Sequence, residues 1–207
     1  MKTCLIISGG AFCALPKSCA FDYVIACDHG YDYAKRMGIR PDIILGDLDS
    51  VEDRSGAQTL PLLRYPEQKD DSDTMLAVKY ALQEGFLHVI VTCALGGRLD
   101  HTIANLQALS YVAKHGGVAE LTGDGEFART FTGGSLELPR REGYSLSLFA
   151  LSDTCEGLKI EGALYDAEQI DLFNTFPLGL SNGWKDDTVK ITMKKGILLI
   201  VESLLCC

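Results

Sequence analysis

Two groups of carboxylates stand at spacings suited to holding a cation. Asp47 and Asp49 are two residues apart in Gly46-Asp47-Leu48-Asp49-Ser50. On an extended backbone alternate side chains share a face, so both could reach one hard divalent ion. A polar turn whose aspartates accept from backbone amides uses the same residues, and the pair alone does not choose. A second stretch, Lys69-Asp70-Asp71-Ser72-Asp73-Thr74, opens a helical pattern. Asp71 or Ser72 suits the helix cap, and acids suit the first turn. Asp73 is then the residue assigned to metal and Lys69 the one assigned to phosphate oxygens. Gly96-Gly97-Arg98-Leu99-Asp100 places Gly97 and Arg98 at the mouth of another helix, where free amides favour phosphate. A plain strand-to-helix turn accounts for it equally well.

These residues need a scaffold, and the hydrophobic pattern supplies one. Short apolar runs at Thr3 to Ser8, Tyr23 to Cys27, Asp42 to Leu45 and His88 to Cys93 read as strands. Helical spacing appears at Tyr31 to Met37, Asp73 to Gln83 and Leu99 to His115. Alternation of the two predicts a three-layer α/β domain with a mainly parallel sheet. Ligands of such sheets sit beyond the carboxyl ends of the strands. There stand Ser8-Gly9-Gly10, Asp28-His29-Gly30 and the two motifs above, which makes Gly9, Gly10 and Asp28 candidates for nucleotide or phosphate. After about Gly123 strand alternation replaces helical spacing, as in Leu136 and Leu138, Leu146 and Leu148, or Val189, Ile191 and Met193. Lys194-Lys195-Gly196 reads as a hairpin turn into Ile197 to Val201. The expectation is an α/β domain over 1–123 and an antiparallel β-sandwich over 124–207.

Composition narrows the function classes. The net charge of −9, from 28 acidic and 19 basic residues, offers no basic stripe to a nucleic-acid backbone. An acidic protein that handles a polyanion needs a divalent cation between the two sets of charges. The first ten residues lack the apolar core of a signal peptide, and no run approaches membrane length. Three of the eight cysteines, Cys4, Cys27 and Cys93, sit in apolar strand runs as small hydrophobes, and no zinc spacing occurs. A reduced, cytoplasmic protein is expected. Neither a Walker A loop nor a Gly-x-Gly-x-x-Gly fingerprint is present.

Taken together, Gly46-Asp47-Leu48-Asp49-Ser50, Lys69-Asp70-Asp71-Ser72-Asp73, Gly96-Gly97-Arg98-Leu99-Asp100-His101 and Leu180-Ser181-Asn182 resemble, in order and approximate spacing, the thiamine pyrophosphokinase family. The resemblance covers most of the chain. It implies an ATP-binding α/β catalytic domain, a thiamine-binding β-sandwich and a homodimer with active sites in clefts between subunits. The implied reaction is Mg2+-dependent transfer of diphosphate from ATP to the thiamine hydroxyl, giving thiamine diphosphate and AMP. By the same resemblance Asp47, Asp49 and Asp73 form the magnesium cluster, while Arg98 and Asp100 face the phosphates and the reacting hydroxyl. Ser72 joins Lys69, Gly97 and Arg98 on the nucleotide, and Ser181 and Asn182 contact thiamine. Trp184, the only tryptophan, either stacks on the cationic vitamin or fills the core. Leu48, Ser72, His29 and Gly183-Trp184 depart from the residues common in the family at those places. Two other readings compete: a magnesium phosphohydrolase built on Asp47-Leu48-Asp49-Ser50, and a nucleotide-binding module without turnover.

Overall fold

The computed structural model describes residues 1–16, 19–48, 51–64 and 71–205. The chain divides into two compact units, Met1–Asp124 and Gly125–Cys207. The division falls one residue beyond the expected boundary.

In the first unit the apolar runs form strands β1 (Thr3–Ile7), β2 (Tyr23–Cys27), β3 (Ile43–Leu45), β4 (Leu62–Leu63), β5 (His88–Thr92) and β6 (Val118–Thr122). They lie in the order β6-β5-β1-β2-β3-β4, every pair parallel. Strands buried on both faces must be apolar throughout, and β1 is buried at all five positions. Helices α1 (Gly30–Met37), α2 (Arg54–Ala57), α3 (Asp73–Gln83) and α4 (Leu99–Lys114) supply the covering layers. Ala34 of α1 packs with Leu5, Ile7 and Val24 on one face. On the other, Thr74 of α3 bonds Ser8 just past β1, and α3 packs beside α4. The expected three-layer α/β architecture is what forms. Ser72 caps α3, its Oγ accepting from Met75 N at 3.2 Å. Asp71 instead pairs with Lys79 at 2.6 Å.

The second unit contains β7 (Glu126–Phe131), β8 (Gly134–Pro139), β9 (Tyr144–Ala150), β10 (Thr154–Glu161), β11 (Ala167–Phe173), β12 (Gly179–Asn182), β13 (Thr188–Met193) and β14 (Leu198–Leu204). One antiparallel sheet runs β12-β9-β14-β7 and the other β11-β10-β13-β8. Leu146, Leu148, Leu198 and Ile200 from the first meet Leu138, Leu158, Ile160 and Ile191 from the second in one core, which makes the pair a sandwich. The hairpin reading of Lys194-Lys195-Gly196 is corrected here, because β13 and β14 belong to opposite sheets. Lys194 N and Lys195 O bond the backbone of Glu156 in β10 instead of closing a two-strand turn.

Candidate active site

In the first unit β1 is flanked by β2 on one side and β5 on the other, so the strand order reverses there. Such a switch point leaves a crevice beyond the carboxyl ends of the strands, and a cavity of about 700 Å³ occupies it. Its walls are the loop from Ser8 to Ala11, the β2 end at Cys27 to His29, and the start of α3 at Ser72 to Thr74. Ala94, Gly96, Gly97 and Arg98 ahead of α4, with His101 and Asn105 on it, complete the lining.

Backbone strain collects at these strand ends. Asp28, Leu48 and Cys93 have φ of 43°, 66° and 54°, left-handed values that non-glycine residues avoid. Each costs of order 1 kcal/mol or more and persists only where the surroundings enforce it. After β3 the reason is visible. Gly46 has φ 137°, and a Cβ there would stand 1.7 Å from Asp28 Oδ1. Only glycine admits the carboxylate, which then accepts from Leu48 N at 3.2 Å. Leu48, left-handed, is itself buried. Asp49 and Lys69 lie outside the described residues.

Three carboxylates nevertheless crowd together. Burial lifts the Asp28 carboxyl to about 6, reinforced by the Asp73 charge and a hydrogen bond with it, and by the charge of Asp47. Among the described residues no three acidic, histidine or cysteine side chains are grouped closely enough to enclose a metal by themselves. That donor set still fits magnesium, which typically takes one or two carboxylates and leaves its other positions to phosphate and water.

The glycine loops are fastened to one another. Gly10 N donates to Cys93 O at 2.7 Å and Ala11 N to Leu95 O at 2.9 Å. The amides of Cys13 and Cys93 each donate to the other's sulfur at 3.4 Å. Tyr33 Oη donates to Gly10 O, and Asn105 Nδ2 to Ala94 O. The amides of Gly9, Gly96 and Gly97 have no backbone partner among the described residues, so they are available to an anion. Arg98 grips Asp100 through Nε at 3.1 Å and Nη2 at 2.5 Å. That hydrogen-bonded contact holds the exposed Asp100 carboxyl below its usual range. Of the expected nucleotide and catalytic residues, Gly9, Gly10, Asp28, Ser72, Asp73, Gly97 and Arg98 line this cavity. Asp47 approaches through Asp28, and Asp100 through Arg98.

A separate cavity of about 390 Å³ lies within the second unit and is lined by Ser181, Asn182, Gly183 and Trp184 with Arg141, Tyr144 and Leu164 among others. A register shift between Gly179 and Asn182 interrupts β12. Ser181 stands in it at φ 58°, with its amide donating to Ser147 Oγ at 3.0 Å. Trp184 is only 6% exposed, sits in the sandwich core and donates its indole N–H to Leu138 O at 3.1 Å. It therefore has a core role, while still forming part of the cavity wall.

The family model for the thiamin pyrophosphokinase catalytic domain matches residues 18–119, and that for the thiamin pyrophosphokinase vitamin B1 binding domain matches residues 135–198. The chain belongs to the thiamin pyrophosphokinase family. A thiamine pyrophosphokinase from Bacillus subtilis (strain 168) is 26% identical over 212 residues, covering 98% of this chain and 99% of the relative. Solved structures agree in fold. The Bacillus subtilis thiamine pyrophosphokinase superposes with a TM-score of 0.88 at 24% identity, covering 99% of this chain and 100% of that one. The thiamin pyrophosphokinase of Candida albicans gives 0.77 at 16% identity, covering 98% and 89%.

Within this thiamin pyrophosphokinase fold, sequence reading passed over several lining residues, notably Ser8, Thr74 and Asn105. Asn105 carried a usable signal, since it stands one helical turn after His101 on the face that begins with the glycine loop. Ser8 and Thr74 stood in motifs at a strand end and a helix start, but a hydroxyl in a turn or a first helical turn is as readily a local backbone partner and so did not single itself out.

Proposed function

We propose that the protein transfers the diphosphate of ATP to the hydroxyl of thiamine, yielding thiamine diphosphate and AMP, with ATP and Mg2+ held by the first unit. The carrying observation is that the Asp28 and Asp73 carboxylates and the glycine amides without backbone partners line one cavity at the switch point of the sheet, with the charge of Asp47 felt at Asp28. Amides attract phosphate oxygens, whereas bare carboxylates repel them, so the combination suits a nucleotide bound with a divalent cation. Asp47 and Asp73, with Asp49 by family resemblance, would hold Mg2+. When bound, the ion supplies positive charge to the β- and γ-phosphate oxygens.

The chain's own residues then position the reactants. Gly9, Gly96 and Gly97 offer amides to phosphate oxygens. Arg98 places a guanidinium at the cavity wall, aligned by its two bonds to Asp100. With its proton affinity lowered by Arg98, Asp100 is suited to orient the thiamine hydroxyl as an acceptor and poorly suited to take its proton. Bond making at the β-phosphorus and loss of AMP thus rest on alignment and electrostatics.

The vitamin is assigned to the second unit, whose cavity includes Ser181 in its bulge. Exposed Phe173, Phe176, Leu178 and Leu180 cluster in sequence around the edge strand β12, and apolar surface beside an open strand edge favours cover by a second copy. Homodimerisation is part of the proposal, and light scattering on the eluted protein tests it. A cytoplasmic setting accords with the buried cysteines Cys4, Cys13 and Cys93, which stand in no disulfide.

The deciding assay incubates protein with ATP, Mg2+ and thiamine and separates the nucleotides. AMP together with thiamine diphosphate, dependent on all three components, is the expected result. ADP, or phosphate released without thiamine, would overturn it in favour of a one-phosphate kinase or a hydrolase.

A further inference from the structure

Asn182 lies at the end of β12 on the wall of the second cavity, yet its carboxamide is already engaged. Oδ1 accepts from Tyr165 N at 3.0 Å, and Nδ2 donates to Tyr165 O at 2.9 Å. Oδ1 also accepts from Gly183 N at 2.8 Å. One side chain thus satisfies both polar groups of one exposed residue, as a neighbouring strand would.

The clamp fixes a short turn. Leu164 N donates to Gly183 O at 3.0 Å, Ala163 N donates to Asp166 Oδ1 at 3.0 Å, and Ala163 bridges Trp184. The approach is close: a Cβ at 183 would stand 3.0 Å from Leu164 Cδ1 and press on the leucine. Leu164 is thereby held against the cavity beside Ser181, with 61% of its surface exposed. A well-anchored aliphatic side chain facing a cavity is a surface for a flat, partly apolar ligand.

Resting on the vitamin reading above, we infer that Asn182 is a positioning residue that sets Leu164 as the apolar wall for the thiamine ring. Oδ1 and one Nδ2 hydrogen of the carboxamide are committed to Tyr165 and Gly183. Asn182 therefore acts on binding only through Leu164.

Trp184 provides a readout that does not depend on turnover, since it is the only tryptophan and lines the same cavity. The full-length wild type, Leu164→Ala, Asn182→Ala and the double variant are titrated with thiamine by fluorescence, after thermal unfolding has confirmed that each is folded. Each single change should weaken Kd about tenfold. The double should bind no more weakly than Leu164→Ala alone, because coupled residues do not add. Losses that multiply to about a hundredfold, or wild-type Kd in Asn182→Ala, would overturn the inference. Should Asn182→Ala not fold, Asn182→Asp takes its place: it keeps the acceptor for Tyr165 N but loses the donor to Tyr165 O, and an unchanged Kd overturns the inference. A wild type that neither responds to thiamine nor makes thiamine diphosphate removes the vitamin reading and the inference together. Turnover by wild type with unchanged Kd in both single variants removes only the inference.

Discussion

The hydroxyl pair that joins β1 to α3 gives a sharp test of how the first cavity is held. Ser8 Oγ and Thr74 Oγ1 are 2.8 Å apart, and the two residues are 8% and 5% exposed. Removing one partner leaves the other hydroxyl unpaired in a nearly buried position, at about 2 kcal/mol for Ser8→Ala and similarly for Thr74→Val. Independent sites would lose about 4 kcal/mol in the double variant. Replacing both partners by apolar groups is nearly neutral, so the double should lose about 1 kcal/mol, a coupling of about 3 kcal/mol. Urea melts with an unchanged slope measure this. Stability and turnover should then part company. Ser8→Ala deletes Oγ without replacing it, so the contact that ties the start of α3 to β1 is lost and α3 is free to shift by up to roughly 1 Å into or across the gap, and Asp73 is the neighbour of Thr74. A displacement of that size can reduce turnover by about a hundredfold. A double variant destabilised by the sum of the single losses, or one with restored stability and wild-type turnover, would refute the reasoning.

Asp28→Asn should be more stable than wild type in metal-free buffer at neutral pH. Its folded carboxyl titrates near 6, above the ordinary range, so its stabilising effect is complete below about pH 4 and is lost as pH rises through 6. After allowance for partial exposure the difference at pH 8 should be about 1 to 2 kcal/mol, vanishing at pH 4 in chemical melts. Arg98→Lys should leave the melting temperature within a degree or two, since Arg98 and Asp100 are exposed, but should lower kcat about tenfold or more because lysine cannot reproduce the two-point grip. Trp184→Phe should lose about 2 to 3 kcal/mol of stability by urea melt, from lost core volume and an unpaired Leu138 carbonyl.

Much of the scaffold was legible because buried parallel strands are continuous apolar runs and the long helices carry apolar residues at helical spacing, α3 also opening on the Ser72 cap. The stretches read as Tyr23 to Cys27 and Asp73 to Gln83 coincide with β2 and α3. Two-residue β4 was not legible because its pairing depends on β3, remote in sequence, and four-residue α2 because a single turn is too short to show helical spacing. The Lys194-Lys195-Gly196 turn misled because a hairpin and a crossing between sheets use the same glycine-rich grammar. In the site, charged and glycine positions at strand ends announced themselves by type. The contribution of Asp28 to the acidic cluster was hidden, because it requires a left-handed residue and the space left by Gly46. Asn182 was visible as a polar residue in a motif, but whether its carboxamide faces a ligand or a peptide is a tertiary fact.

Charge distribution connects the two halves of the argument. A protein of net charge −9 cannot draw a polyanion by its overall field, so attraction has to be local. In the first cavity the guanidinium of Arg98 is largely balanced by Asp100, and the glycine amides contribute only partial charges. Against these stand Asp28, Asp47 and Asp73, and the Asp28 carboxyl is lifted to about 6 by burial first and by its acidic neighbours after that. The fold maintains this repulsion through strained turns after β2 and β3, only one of which, at Leu48, also seats a side chain in the core. Such strain is intelligible where a ligand reverses the sign of the local field, and a divalent cation carried with a nucleotide does so while the free amides align the phosphates. The placement of the carboxylates at the strand ends therefore argues for binding that is electrostatically incomplete in the protein alone and completed by its substrate.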